Sequence, residues 1–427
     1  MKSNLEIEVK NLGPIEKASI NLNKINIIGG INGSGKTTLS KLLYCYIAAN
    51  TLEGDYLTNQ RVKEIFQEFI RYWSRSLENE ENPHNYIILQ SFLTEWDNQD
   101  SSYTYFHKYL IDLKEFIYNT KLKNNNECIE RLKYIEKHID ALKDPVVKYY
   151  EVVNFLLSTE YDLFQLQEYF DAKVIFKGKF EKKTFKQSTD FKRDRVTSNF
   201  EGYSDCINFR EMIYIDSPSI LDLYNNNHPY HYNFLYSNIT NKQNKKYDEL
   251  YNEKISEFEK KLEEIMGGNF KYDVQKEQFF FKQDKNIEIE MKNTSSGFKQ
   301  LGIIQLLLTS KTLTSNSFII IDEPEINLHP DFQIKLSEIL VLISKELNIV
   351  LYINSHSPQF IEALELYTAK YDLINETSFY INEKSDNSKY CYKQIKRNEL
   401  SKLYNNLGKA YDILDSIRAD NINQGKF

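Results

Sequence analysis

The sequence predicts an α/β protein: a mixed sheet with flanking helices, opened by an N-terminal β-hairpin and interrupted by a helical insertion. Three observations carry this expectation. An apolar strand, Ile25-Asn26-Ile27-Ile28, runs into the glycine-rich Gly30-Ile31-Asn32-Gly33-Ser34-Gly35-Lys36-Thr37-Thr38, after which Leu39 to Tyr44 place apolar residues at helical spacing. A second apolar run, Ser317-Phe318-Ile319-Ile320-Ile321, ends in Asp322-Glu323-Pro324, as expected of a parallel strand buried on both faces. Between the two, the chain from about Asn50 to Asp171 is long, charged, poor in glycine and helical in period.

In chain order, Leu5, Ile7 and Val9 alternate with Glu6, Glu8 and Lys10, and Ala18, Ile20 and Leu22 do the same beyond the turn Asn11-Leu12-Gly13-Pro14, which gives the hairpin. Inside the insertion Ile129, Leu132, Ile135, His138, Ile139 and Leu142 share one helical face, and Pro145 breaks that helix. Lys173 to Arg195 reads as short strands or loops in which lysines and arginines interleave with Phe176, Phe180, Phe185 and Phe191. Met212-Ile213-Tyr214-Ile215 reads as a strand, Asn225-Asn226-Asn227-His228-Pro229 as a loop, and a charged helix runs from about Tyr247 to Met266, stopping at Gly267-Gly268. Ile287 and Ile289 alternate with charges in a further strand. A helix from Pro330 to Leu347 provides the crossover to Ile349-Val350-Leu351-Tyr352-Ile353, a strand that finishes at Asn354-Ser355-His356-Ser357-Pro358. The expected division is 1–50 and 205–427 for the two parts of one α/β head, with 51–204 as a helical insertion ending in the basic segment.

Length and composition bound the rest. A chain of 427 residues with 41% hydrophobic and 27% charged residues is ample for a large core. The net charge of −7 argues against a uniformly basic nucleic-acid binder while leaving room for a local patch. Cys45, Cys128, Cys206 and Cys391 are far apart and form no C-x-x-C, so neither a zinc cluster nor a disulfide framework is indicated. With no signal-type apolar run at the N-terminus and no membrane span in the sequence, a reducing cytoplasm is the simplest setting. His228-Pro229-Tyr230-His231 lacks a third ligand nearby and reads as a loop rather than a metal site.

Residues 30–37 fit the phosphate-loop pattern G-x-x-x-x-G-K-[ST] at every required position, which predicts a bound nucleoside triphosphate. Gly30, Asn32, Gly33, Ser34 and Gly35 let the backbone wrap the phosphates with its N–H groups inward, and the helix N-terminus adds a favourable dipole. Lys36 is expected to reach the outer phosphates and Thr37 to ligate magnesium, with Thr38 continuing the helix beside it. Asp322 is expected to hold magnesium, directly or through water, and Glu323 to orient and deprotonate the attacking water, the pattern known as Walker B. Alone, those acids would suit a strand-to-helix turn with a cap; beside a phosphate loop they read as catalytic. Three loops thus end parallel strands, where doubly wound sheets bind ligands, and His356 is placed to meet the γ-phosphate or the attacking water.

Asn293-Thr294-Ser295-Ser296-Gly297-Phe298-Lys299-Gln300 precedes an apolar helix, and its hydroxyls suit an N-cap. The order of phosphate loop, long insertion, Ser-Ser-Gly, acidic strand and histidine resembles the ABC-type ATPases, especially their SMC-like and OLD-like branch. The likeness covers about Leu5 to Tyr46 and Ile287 to Phe360, and Glu325-Ile326-Asn327-Leu328-His329-Pro330 looks like that branch's D-loop region. The resemblance implies that Ser296 and Gly297 contact the γ-phosphate of ATP held by another subunit, that Glu323 is the base and His356 the switch histidine, and that two subunits sandwich two ATP molecules with Mg2+, head to head. Phe298 departs from the transporter-type signature, and Gln90 and Gln187 are candidates for the family's Q-loop glutamine only as glutamines of the first half.

Many relatives of this length resemble ATPase components of bacterial anti-phage systems such as Septu, PARIS and retron-linked modules. The implied function is an ATP-driven switch, dimeric or larger, that controls a separate effector such as a nuclease. A second reading is an SMC-like DNA-repair or DNA-end-binding ATPase with Lys173 to Arg195 as its nucleic-acid surface; a solvated hairpin face explains the same charges. The long insertion and the signature form speak against a transporter subunit.

Overall fold

The computed structural model describes residues 4–77, 83–94, 103–160, 171–192, 195–203, 206–222, 230–240, 249–283 and 287–423. Two compact units divide the chain: Met1–Ile47 with Leu156–Gly202 and Cys206–Phe427, and Ala48–Phe155 with Tyr203–Asp205.

In the first unit β1 (Asn4–Leu12) and β2 (Ile15–Leu22) form the expected hairpin, pairing Leu5 with Leu22 and Leu12 with Ile15. β3 (Ile25–Gly29) leads into the glycine loop, and α1 (Lys36–Ala48) leaves it. The second unit is helical and carries α2 (Leu52–Leu77), α3 (Pro83–Thr94), α4 (Tyr103–Tyr118), α5 (Asn126–Ala141) and the greater part of α6 (Pro145–Glu160). Its core gathers Phe66, Trp73, Leu110, Leu113, Leu132 and Ile135, so the apolar stripe of α5 faces inward as its period requires.

The first unit resumes with β4 (Ala172–Phe180), β5 (Lys183–Lys192), β6 (Arg195–Gly202) and β7 (Met212–Ile215), followed by α7 (Tyr230–Thr240) and α8 (Glu249–Met266). A three-stranded sheet of β8 (Gly268–Asp273), β9 (Gln278–Gln283) and β10 (Ile287–Glu290) precedes α9 (Ser296–Thr309). Then come β11 (Phe318–Asp322), α10 (Pro330–Leu347), β12 (Val350–Ser355), α11 (Pro358–Lys370), β13 (Thr377–Lys384), β14 (Tyr390–Ile395) and α12 (Leu400–Asn423).

Eleven strands make one mixed sheet in the order β6-β5-β4-β1-β2-β14-β13-β3-β12-β11-β7. Its β13-β3-β12-β11-β7 part is parallel, and the apolar residues of those strands are buried on both faces, with Ile25, Ile27, Phe318, Ile320, Leu351 and Ile353 all fully enclosed. The one polar residue inside β3, Asn26, is fully satisfied: its Nδ2 donates to Asn23 O and Leu351 O, and its Oδ1 accepts from Asn23 N. Register sets the site. Gly29 lies opposite both Ser355 and Ile381, Asp322 opposite Asn354, and Ile321 opposite Ile215, so four loops leave the same edge of the sheet.

The basic segment is not the end of the insertion. β4 pairs with β1, and Phe176, Phe185 and Phe191 turn inward with Gln187 and Thr189 to form a buried face. That face meets α1, where the Tyr46 ring stacks on Phe176 and its hydroxyl donates to Thr189 Oγ1 at 2.7 Å. The alternation is that of an amphipathic strand, with aromatics inside and lysines outside. Aromatic and basic residues therefore point to opposite faces, and base stacking by these phenylalanines is ruled out. Outside, Lys177 is held between Glu6 and Glu8 and Lys173 by Asp190, while Lys179, Lys182, Lys183, Lys186 and Lys192 are exposed. Arg193 and Asp194, the 225–229 loop and the first turn expected of the 247–266 helix lie outside the described residues.

Candidate nucleotide site

The phosphate loop leaves β3 in the geometry its glycines permit. Gly33 and Gly35 take φ of 74° and 96°, in the left-handed region that suits glycine. A Cβ on Gly35 would come within 2.7 Å of Ile15 Cγ1, so the hairpin turn seats itself against the loop, and a Cβ on Gly30 would meet Asn382 Nδ2 at 2.4 Å. From β14, the Tyr392 hydroxyl donates to Ser34 O at 3.0 Å and to its Oγ at 3.2 Å, while Ser34 Oγ donates to Ile31 O at 2.7 Å. The loop is preorganised by residues on the other half of the chain. Asn32, Gly33 and Thr37 are exposed at its mouth.

Lys36 is 5% exposed and turned onto its own loop, donating to Gly30 O at 2.9 Å and Ile31 O at 3.1 Å, with Glu323 Oε1 at 3.6 Å. Burial lowers its pKa, and the Glu323 charge opposes that drop. These are partners that a phosphate would displace on charge alone.

Asp322, at the end of β11, is 7% exposed and encircled by donors: Ser40 Oγ at 2.7 Å and Asn354 Nδ2 at 2.6 Å reach one oxygen, and the Tyr214 hydroxyl reaches the other at 3.0 Å. Thr37 also hydrogen-bonds to this carboxylate. Burial raises its pKa, with the hydrogen bonds working against that rise. The lone-pair atoms offered beside Thr37 are oxygens, its own hydroxyl, that of Ser40 and the Asp322 carboxylate, which fits a hard cation such as magnesium that keeps several of its waters. Among the described residues no group of three histidine, cysteine or acidic side chains converges as a metal cage.

Glu323 carries φ of 49°, a left-handed backbone at a non-glycine residue, and its N–H donates to Asn354 O at 2.9 Å. Its Oε1 lies 3.3 Å from His356 Nδ1, close enough for an ion pair though not aligned as a hydrogen bond. The histidine interaction foremost holds the Glu323 carboxyl below its usual range, and Glu323 in turn raises His356 above its usual 6.5. The two shifts oppose in sign and bracket a window. The contribution of Glu323 is present above 4.5 and lost as acid protonates it; that of His356 is present below 6.5 and lost as pH rises through its raised value. Titration of the His356 ring by NMR should therefore give a pKa above 6.5 that falls in Glu323→Gln. An unchanged value would mean that the two groups are not coupled.

In the sequence Glu325 is distinguished only as part of the loop after Walker B. The structure gives it a distinct place: 3% exposed, it accepts from Ser355 Oγ at 2.6 Å and from the N–H groups of His356 and Ser357 at 3.0 and 3.2 Å, which fixes the turn that presents His356. Ser40, Asn354, Tyr214, Asn382 and Tyr392 likewise belong to no motif that marks them as site residues. Ser40 was findable one helical turn beyond Thr37, and Asn354 by its register opposite Asp322; the tyrosines had no local signal.

Ser296 and Gly297 stand elsewhere. Ser295 is the N-cap of α9, accepting from Phe298 N at 3.3 Å, and Ser296 is exposed. A Cβ on Gly297 would meet Asn327 O at 2.4 Å, so the helix start is fitted onto the loop after Walker B. Of the two glutamine candidates, Gln90 donates to Ser74 Oγ within the helical unit, and Gln187 is buried inside β5. The strand end beside Walker B instead carries Asp216, whose Oδ2 lies 3.3 Å from Nε2 of the buried His231.

Residues 4–361 match the family described as the AAA ATPase domain. The chain belongs to that family. As an ATPase it has the expected α/β head, with a nucleotide-binding phosphate loop. It is similar to a solved SMC head domain from Thermotoga maritima, with 11% identity over 93% of this chain and 100% of that one and a TM-score of 0.41. A SmcHead bound to the C-winged helix domain of ScpA gives 9% identity, 93% and 98% coverage and a TM-score of 0.45. An Smc head domain with an extended coiled coil, bound to the C-terminal domain of ScpA derived from Pyrococcus furiosus, gives 10%, 98%, 100% and 0.42. No curated protein matches significantly. No helix among the described residues is long and apolar enough to cross a membrane.

Proposed function

We propose that this ATPase is an ABC-type switch of the SMC-like and OLD-like branch, in which two copies close head to head around two ATP molecules and hydrolysis reopens them. The observation that supports it most directly is Ser296. The cap of α9 is already supplied by Ser295, so the Ser296 hydroxyl stands exposed at the positive end of a helix, free to receive a phosphate brought by a second subunit.

Within one subunit Lys36 would bind the outer phosphates, and Thr37 with Asp322 would hold magnesium, which when bound neutralises charge on the phosphates. Glu323, steered by His356, would take the proton of the attacking water. Glu325 keeps that histidine in position from below. We assign the downstream role to a separate effector, a nuclease or toxin in anti-phage defence, on the strength of the motif order and of Leu328-His329-Pro330 after Walker B. A cytoplasmic setting accords with this role. The alternative, an SMC-like ATPase acting on DNA ends, keeps the same nucleotide cycle and would use the exposed lysines of β4 and β5. Binding to duplex DNA that falls steeply with salt and disappears when those lysines are reversed would favour it.

The sandwich is tested by sedimentation velocity with ATP and magnesium. Wild type should shift to a dimer or larger assembly, and Ser296→Arg, at an exposed position, should weaken that assembly by about tenfold or more. If Ser296→Arg assembles as wild type does, no phosphate of a second subunit meets this helix.

A further inference from the structure

Asn354 is fully buried near the end of β12, directly opposite Asp322 in the parallel register. Its side chain and its backbone reach the two acids of Walker B separately. The hydrogens of Nδ2 go to Asp322 Oδ1 at 2.6 Å and to Ser40 Oγ at 2.7 Å, and the Ser40 hydroxyl donates in turn to the same Asp322 oxygen at 2.7 Å. The backbone carbonyl of Asn354 accepts the Glu323 N–H at 2.9 Å, at the residue whose φ of 49° is left-handed. One residue thus ties together the carboxylate that ends β11, the helix that leaves the phosphate loop, and the turn that presents Glu323.

The other end of the same amide is unpaired. Asn354 Oδ1 is buried and has no hydrogen-bond partner among the described residues, a cost that an apolar side chain of similar size would not carry. Packing alone therefore gives no reason for an asparagine here. What the amide supplies, and an apolar side chain cannot, is a donor aimed at Asp322. With Oδ1 taken by both Asn354 and Ser40, that carboxylate cannot turn about its Cβ–Cγ bond without breaking both contacts. We infer that Asn354 is a positioning residue for magnesium-dependent ATP binding, its Nδ2 holding Asp322 in the orientation from which the carboxylate meets the ion beside Thr37. The inference rests on the reading of Asp322 as the magnesium carboxylate. Groups that orient a metal ligand through a hydrogen bond are worth about ten- to a hundredfold in metal affinity. A packing role predicts something different: a change in nucleotide binding whether or not the metal is present.

The full-length protein is titrated with fluorescent methylanthraniloyl-ATP, once with magnesium and once with EDTA, and the ratio of the two Kd values gives the gain that the ion confers. Asn354→Ala should lose about tenfold or more of that gain while its Kd in EDTA stays within about twofold of wild type. Asn354→Ser, whose hydroxyl is too short to reach Asp322, should behave alike and leaves a smaller void. Far-UV circular dichroism establishes that each variant is folded. A folded variant that keeps the gain within about twofold, or whose Kd weakens as much in EDTA as in magnesium, overturns the assignment, and so does failure of both variants to fold, which would make Asn354 a core residue. Asp322→Asn in the same titrations separates the two readings. If it keeps the full gain, Asp322 is not the magnesium carboxylate and both readings fall; if it loses the gain and the Asn354 variants do not, only the role of Asn354 falls.

Discussion

Glu323→Gln should bind ATP as the wild type does and hydrolyse it about a hundred- to a thousandfold more slowly. The amide keeps the volume and a hydrogen-bonding edge toward His356, so the turn set by Glu325 is undisturbed. What disappears is the only carboxylate that lies within 4 Å of both Lys36 and His356 among the described residues. Binding rests on the loop glycines and Lys36, and that lysine loses only a contact at 3.6 Å. Single-turnover phosphate release and equilibrium nucleotide binding on the same preparation separate the two effects. Release within about threefold of wild type would remove Glu323 from the role of base.

Asp322→Asn should do something less expected, impairing turnover by about a hundredfold or more while leaving the nucleotide-free protein as stable as wild type or more so. The carboxylate is buried among neutral donors, and burial raises its pKa above the ordinary 3.8. A raised acid contributes its stability below 3.8 and loses it as pH rises through the folded value, so at neutral pH the ionised group is a liability that bound magnesium would offset. Asparagine fits the same cage: its oxygen can accept from Ser40 and Asn354, and its amide can donate to the Tyr214 hydroxyl. Thermal melts should place the variant level with wild type at acid pH and about 2–4 °C above it at neutral pH for each kcal/mol of relief. Magnesium with ATP should stabilise the wild type and not the variant. A variant that melts well below wild type at neutral pH would mean that the charge is compensated in a way these contacts do not account for.

Much of the head was legible because its signals are local. A phosphate loop declares itself through glycine spacing, Walker B through an apolar run ending in acids, and α10 through Pro330 at its start and Asn348, with φ of 54°, at its end. The basic segment was misplaced for a physical reason. An amphipathic strand and an exposed hairpin share the same alternating text, and only pairing of β4 with β1 decides which face is covered. Residues that hold the site rigid were the least legible. Tyr392 touches Ser34 across a separation of 358 residues, and Tyr214 touches Asp322 across 108, so no window of sequence holds both partners. Residue type alone does not place a site glutamine, whereas the sheet puts Asp216 at the strand end beside Walker B.

The insertion of β3 between β12 and β13 also governs how the protein is made. Both neighbours of the phosphate-loop strand follow it in the chain by more than three hundred residues, as the 325-residue separation of the Asn26–Leu351 hydrogen bond records. At ordinary rates of synthesis roughly half a minute passes before that strand has anything to pair with. The helical unit, almost wholly contiguous in sequence, can collapse in that interval, so the nascent chain carries a folded insertion long before it carries a working nucleotide pocket. A chain that ends before β13 lacks one of the two strands that flank the phosphate-loop strand and so cannot complete the sheet around it.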